Sequence, residues 1–159
     1  MKALLNILER DALMPRSDIA RLLDLSVEEV ERRIAELEKN GVILGYQAVT
    51  NRDLAEDDAV TAVIEVKITP ERSGGFDRIA ERIAKFDEVR SCYLMSGGYD
   101  LLVTVEAPNL RAAAAFVSEK LSTIGSVLST ATHFRLKTYK ENGKLHRLDS
   151  APERLAVVP

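Results

Sequence analysis

A chain of 159 residues holds one ordinary domain or two small ones, at roughly 100–200 residues per domain. With 46% hydrophobic and 30% charged residues it can both fill a core and cover it, which sets aside disorder and low-complexity repeats. A formal net charge of −3 argues against a protein that grips nucleic acid by bulk positive charge.

The longest apolar runs, such as Ala112 to Val117, fall far short of the roughly eighteen residues that a membrane span needs, so no membrane partner is expected. Met1 to Arg10 mixes charged residues into an apolar period, unlike a secretory leader, and a cytoplasmic setting follows as the expectation. The single cysteine, Cys92, can form neither an internal disulfide nor a zinc site by itself. Nothing in the sequence requires a cofactor or a metal.

The chain changes character near residue 53. From Met1 to Lys39 apolar residues recur three and four apart, the helical period, whereas Val60 to Ile68 and Leu101 to Val105 alternate as strands do. The expected organisation is residues 1–53 as one module, 54–140 as a second and 141–159 as a tail.

A first helix is expected over about Met1 to Asp11. Pro15 breaks the chain, and Ser17 is placed to cap a second helix that runs to about Asp24. Ser26-Val27-Glu28-Glu29 reads as a capping box, in which the serine hydroxyl takes the N–H three residues on and the glutamate reaches back. The helix it opens carries Val27, Val30, Ile34 and Leu37 on one face and stops at Asn40-Gly41. Helix, tight turn and capped helix make a helix-turn-helix. Val42-Ile43-Leu44 then reads as a short strand, Gly45 as a turn, and Tyr46 to Val49 as an extended connector.

The second module reads as strand (about Ala59 to Ile68), helix (Ser73 to Phe86), strand (Val89 to Met95), strand (Tyr99 to Glu106), helix (Leu110 to Ile124) and strand (Val127 to Lys137). This is the ferredoxin-like βαββαβ order, with an antiparallel sheet and both helices on one face. The fold class expected for the whole chain is therefore α+β. The uncovered sheet face must meet water or another chain, which favours a dimer.

Three constellations could carry chemistry. On the capped helix, Arg32 and Arg33, with Arg21 from the helix before, could neutralise phosphates or read guanine edges. The same pattern also describes an amphipathic helix whose Glu28, Glu29 and Glu31 suit the positive end of its dipole. Residues 1–53 carry eight Lys/Arg against ten Asp/Glu, a net of −2, so the would-be reader is itself acidic. In Ser96-Gly97-Gly98-Tyr99-Asp100, a two-glycine hairpin could offer backbone N–H groups to a carboxylate while Asp100 pairs with an ammonium, which suits a free amino acid. A plain turn with a hydrogen-bonding aspartate is the simpler reading of the same residues. Ser129, Thr130 and Thr132 add hydroxyls on the last strand. For catalysis, His133, His146 and Cys92 form no recognisable nucleophile–base set.

The stretch Ile19-Ala20-Arg21-Leu22-Leu23-Asp24-Leu25-Ser26, followed by Val30, Arg33-Ile34, Leu37-Glu38 and Gly41 to Tyr46, resembles the helix-turn-helix of the Lrp/AsnC, or feast/famine, regulators. Gly98-Tyr99-Asp100-Leu101 and Val127 through Thr130, Thr132 and Lys137 resemble that family's ligand-sensing domain. The resemblance covers about Leu4 to Lys140. It implies a transcriptional regulator whose N-terminal winged helix-turn-helix binds double-stranded DNA. Its ferredoxin-like domain would dimerise, assemble to an octamer and sense a small effector, commonly an amino acid. By position it implies Ser17, Arg21, Ser26, Arg32 and Arg33 as DNA-facing, and Ser96, Gly97, Gly98, Tyr99, Asp100, Thr130 and Thr132 as effector-binding. Paired reading helices would prefer a pseudo-palindrome, and an effector favouring one assembly would shift DNA affinity. Two other readings stay open: a ligand-sensing assembly protein whose helix-turn-helix no longer binds DNA, and an enzyme, since some haem-pathway decarboxylases share this two-module plan.

Overall fold

A computed structural model describes residues 1–55, 58–69 and 75–146. The described residues pack as two units, 1–50 with 139–146, and Asn51–Thr138. Among the described residues no helix is long and apolar enough to cross a membrane.

The first unit holds α1 (Lys2–Arg10), α2 (Arg16–Leu23) and α3 (Val27–Lys39). Their apolar positions, Leu4 and Leu8, Ile19 and Ala20, Val30, Ile34 and Leu37, close into one core, as spacings of three and four require. Ser17 does not cap α2. The helix starts two residues earlier than such a cap would set, with Pro15 as its N-cap and the Pro15 carbonyl taking the N–H groups of Asp18 and Ile19 at 2.9 and 3.1 Å. Proline suits such an entry, because its fixed φ is preset and the N–H it lacks would have had no partner. Asp24 then turns the chain in the left-handed region at φ +52.

Ser26 caps α3: its Oγ accepts the Glu29 N–H at 3.2 Å. The other half of the expected capping box is replaced, because the Glu29 carboxylate turns along the helix to Arg32 and Arg33. Ser26→Ala is expected to cost about 1 kcal/mol of stability, the usual worth of a serine N-cap. A urea midpoint unchanged from wild type would show that the cap contributes nothing.

At its other end α3 closes on Gly41 at φ +66, with Gly41 N–H on Glu38 O at 3.0 Å and Val42 N–H on Leu37 O at 2.9 Å. Those two bonds form a Schellman closure, whose left-handed residue favours glycine. The strand expected at Val42–Leu44 does not form. Val42 and Ile43 both donate to Leu37 O, so their backbone is committed to ending the helix, and residues 44–51 run on without a ladder. Tyr46 ties this segment back to α3 by donating its hydroxyl to Glu38 Oε1 at 2.8 Å. A hairpin, β5 (Lys140–Glu141) and β6 (Lys144–Leu145), completes the unit around Asn142-Gly143, both at positive φ as a tight hairpin turn demands. Lys144 Nζ reaches the Arg10 carbonyl in the last turn of α1 at 3.2 Å. The rest of the expected tail, residues 147–159, lies outside the described residues.

The second unit is β1 (Val60–Ile68), α4 (Asp77–Ala84), β2 (Val89–Leu94), β3 (Leu101–Ala107), α5 (Leu110–Ala115) and β4 (Val127–Phe134). The strands form one antiparallel sheet in the order β2-β3-β1-β4. Ala62, Ile64, Val66 and Ile68 of β1 and Leu101, Val103, Val105 and Ala107 of β3 share one core with Ile79 and Ile83 of α4 and with Ala113 and Phe116. Both helices therefore cover the same face. The other face carries Val63, Glu65 and Lys67, Leu102 and Thr104, Tyr93, Ala131 and His133, exposed or half-buried in the single chain.

Most element ends lie within a residue or two of expectation. The first helix of this unit was expected from Ser73, which lies outside the described residues, and it is seen over Asp77–Ala84. The second widens after Ala115 into a π-helical turn, Phe116–Leu121. There the Ser122 N–H bonds Val117 O at 2.8 Å, and Phe116 sets its ring edge-on to Phe86, centroids 5.6 Å apart. The last strand ends at Phe134, opposite Ala62, rather than at Lys137, although Arg135 N–H still reaches Thr61 O.

Candidate nucleic-acid interface and effector site

The residues expected to face DNA lie on two consecutive helices. Ser17 and Arg21 are exposed one turn apart on α2, Ser26 heads α3, and Arg32 is exposed and Arg33 half-buried along it. Each arginine already holds a carboxylate. Arg21 Nη2 meets Asp18 Oδ1 at 2.9 Å. Glu29 receives Arg32 through Nε at 3.0 Å and through Nη2 at 2.8 and 2.7 Å, and Arg33 Nε at 2.6 Å. Glu36 takes Arg32 Nη1 at 2.8 Å. Arg32 above all, then Arg33, holds the Glu29 carboxyl below the ordinary glutamate range, and Glu29 raises Arg32 in return. Glu28 is lowered by a backbone N–H and by the Ser26 hydroxyl, so that hydroxyl already serves the helix start.

Of the two carboxylates that hold Arg32 and Arg33, the sequence reading named Glu29 and not Glu36. Their signal was present: glutamate three and four residues before arginine, and four after it, are spacings that meet on a helix face. The dipole reading took Glu29 first.

In the second unit the Ser96-Gly97-Gly98 turn joins β2 to β3 and is exposed. Only Gly97 uses a positive φ, +138, with nothing within 4 Å of where a Cβ would sit. Asp100 is pinned. Its backbone N–H donates to Val66 O at 3.0 Å, its O accepts Met95 N–H at 2.8 Å, and its Oδ2 accepts Ile68 N–H at 2.8 Å. Val66 pairs with Leu101 on one side and Thr130 on the other, and Ile64 pairs with Thr132. The turn, Asp100 and Thr130 therefore lie toward one end of the sheet, with Thr132 one step inward. Two strand spacings, about 10 Å, separate Leu101 from Thr130, so within one chain these groups do not converge on a single small molecule.

The remaining reactive side chains are dispersed. Cys92 is half-buried on β2 with Sγ 3.9 Å from Ala80 O, and burial pushes its thiol up. His133 stands on the open sheet face with Nε2 3.6 Å from Glu65 Oε1. Glu88 holds Lys120, which lowers the Glu88 carboxyl and places the ammonium 5.6 Å from the centre of the Phe86 ring.

Two family models match the chain: winged helix-turn-helix DNA-binding over residues 1–43, and the Lrp/AsnC ligand binding domain over residues 61–145. The HTH-type transcriptional regulator YugG of Bacillus subtilis is 45% identical over 157 residues, covering 98% of this chain and 95% of that protein. The proline dehydrogenase transcriptional activator of Rhizobium radiobacter is 29% identical, covering 88% of this chain and 89% of its own. Among solved structures, a feast or famine regulatory protein of M. tuberculosis complexed with L-methionine superposes at a TM-score of 0.70 with 26% identity, covering 90% of this chain and 94% of that one. The capped third helix, the ferredoxin-like sheet and these matches agree on both halves, and the chain belongs to the Lrp/AsnC family of DNA-binding transcriptional regulators with a ligand-binding domain.

Proposed function

We propose that the protein contacts duplex DNA through Arg32 and Arg33 of α3, with Ser17, Arg21 and Ser26 beside them. In this reading it senses a free amino acid at the Ser96–Asp100 turn with Thr130 and Thr132. The observation that carries the effector reading is the exposed glycine turn next to a half-buried carboxylate, a pairing that suits the two opposite charges of an amino acid. The L-methionine complex of the 26% identical relative supports the same class. Because Thr130 lies two strands from the turn, a second copy of the chain completes the site. That requirement and the open sheet face support a homodimer, and further assembly to an octamer in the cytoplasm belongs to the same proposal. Effector binding between copies then shifts DNA affinity by the difference in its affinity for the two assemblies.

The test is a mobility shift on the gene's own upstream region at low and physiological salt, with and without amino acids. Arg32→Ala/Arg33→Ala is expected to weaken retention by about tenfold or more, as loss of phosphate or base contacts from every subunit should. Retention equal to wild type in the double variant removes these arginines from the interface. No retention of wild type at any salt leaves a ligand-responsive assembly in place of a DNA-binding one.

A further inference from the structure

The arginines assigned to DNA are not idle in the free protein, and one carboxylate holds both. Glu29 is the least exposed member of the group, at 24% of its side-chain surface against 60% for Arg32 and 39% for Arg33. It sits in a cleft of about 350 Å³ at the junction of α1 and α3, backed by Leu4 and Leu37. Its two oxygens accept the Nε and Nη2 of Arg32 and the Nε of Arg33, while Glu36 accepts Arg32 from the far side. A guanidinium takes a carboxylate and a phosphate with the same forked geometry. Two cations and two anions thus cancel where a DNA backbone would need net positive charge.

We propose that Glu29 is an internal stand-in for a DNA phosphate: it holds Arg32 and Arg33 in the free protein and is exchanged for phosphate oxygens on binding, so this one carboxylate sets the DNA affinity. The inference rests on Arg32 and Arg33 facing DNA. Each contact to DNA first breaks a contact to Glu29, and the freed carboxylate then repels the phosphate that displaced it. Removing its charge therefore strengthens binding, the opposite of what loss of a contact residue does.

Two substitutions remove the same charge from the same helix. Glu29→Gln releases Arg33 and one side of Arg32, whereas Glu31→Gln alters an exposed glutamate that holds neither. The cap survives in both, because Ser26 Oγ bonds the backbone N–H at position 29 and not its side chain. Full-length proteins are titrated by fluorescence anisotropy with the upstream duplex and a scrambled duplex from about 50 to about 200 mM salt, with thermal melts to check folding.

Glu29→Gln is expected to bind both duplexes about tenfold more tightly than Glu31→Gln at low salt. Its log K against log salt line should be steeper by about 0.9 for each arginine newly placed on a phosphate. Glu36→Gln, which frees one side of Arg32 only, should fall between the two. Equal gains for Glu29→Gln and Glu31→Gln would reduce the effect to general charge and overturn the proposal. A weaker Glu29→Gln would overturn it in the other direction, making Glu29 a residue that aims the arginines at DNA. If Arg32→Ala/Arg33→Ala binds like wild type, the underlying assignment of the arginines fails. If that double variant loses binding while Glu29→Gln matches Glu31→Gln, only the stand-in role fails.

Discussion

Ile64→Ala is expected to destabilise the sheet unit by about 3 kcal/mol, within the 2–5 kcal/mol that truncating a buried isoleucine commonly costs. Ile64 has no exposed surface and lies on β1, the strand flanked by β3 and β4, opposite Val103 on one side and Thr132 on the other. The helices α4 and α5 close over that face, so the space left by the lost atoms cannot be refilled by collapse from one side alone. The matching control is Val63→Ala, one residue away on the open face and half-buried in the chain. Its cost in the isolated chain should stay below about 1 kcal/mol, since little apolar surface is withdrawn from water there. Urea midpoints at constant slope measure both. Equal shifts would mean that β1 does not separate a covered face from an open one.

The strand β1 was legible because it obeys one local rule. Val60 to Ile68 alternates, and the structure buries Ala62, Ile64, Val66 and Ile68 together. α3 was legible for the same reason, with its cap at Ser26 and its stop at Asn40-Gly41 both written in adjacent residues. Elements that depend on a distant partner were not. Val42-Ile43-Leu44 has a strand's composition, but a strand exists only where another strand offers its hydrogen bonds, and Leu37 O takes the Val42 and Ile43 N–H groups first. Nothing in Leu110 to Ile124 announces the π-helical turn, which shifts the hydrogen bond by one residue while the apolar spacing still reads as a helix. At the second helix two neighbouring residues compete for one role. Pro15 wins over Ser17 because a preset φ fixes the entry without any side-chain hydrogen bond.

The candidate site divides along the same line. The glycine turn was visible in Ser96-Gly97-Gly98. The bond from Ile68 N–H to Asp100 Oδ2 crosses 32 positions of sequence, which no spacing rule reaches. On α3 the Glu29–Arg33 pair is four residues apart and was within reach, yet three glutamates near a helix start satisfy two explanations at once, dipole and ion pair. Only coordinates separate them, and they show Glu29 turned down the helix while Glu28 serves its start.

Asp100→Asn is expected to weaken the proposed amino-acid binding by roughly tenfold or more while leaving the fold in place. Asp100 has two tasks, closing the end of the β1–β3 ladder and offering negative charge beside the exposed turn. An asparagine oxygen still accepts the Ile68 N–H, and a neutral acceptor in place of a charged one costs about 1 kcal/mol. An ammonium has a stricter requirement. A hydrogen bond to a charged group contributes about 1.5–3 kcal/mol, so the amide should weaken amino-acid binding by roughly tenfold to a hundredfold. Asp100→Ala removes both tasks, and the unpaired Ile68 N–H should lower thermal stability clearly below that of the asparagine variant. A thermal-shift series over the common amino acids separates the two tasks. The asparagine variant should melt near wild type without ligand and need roughly tenfold to a hundredfold more of any amino acid that stabilises wild type. A ligand that stabilises both equally would place its ammonium elsewhere and leave Asp100 with the ladder alone.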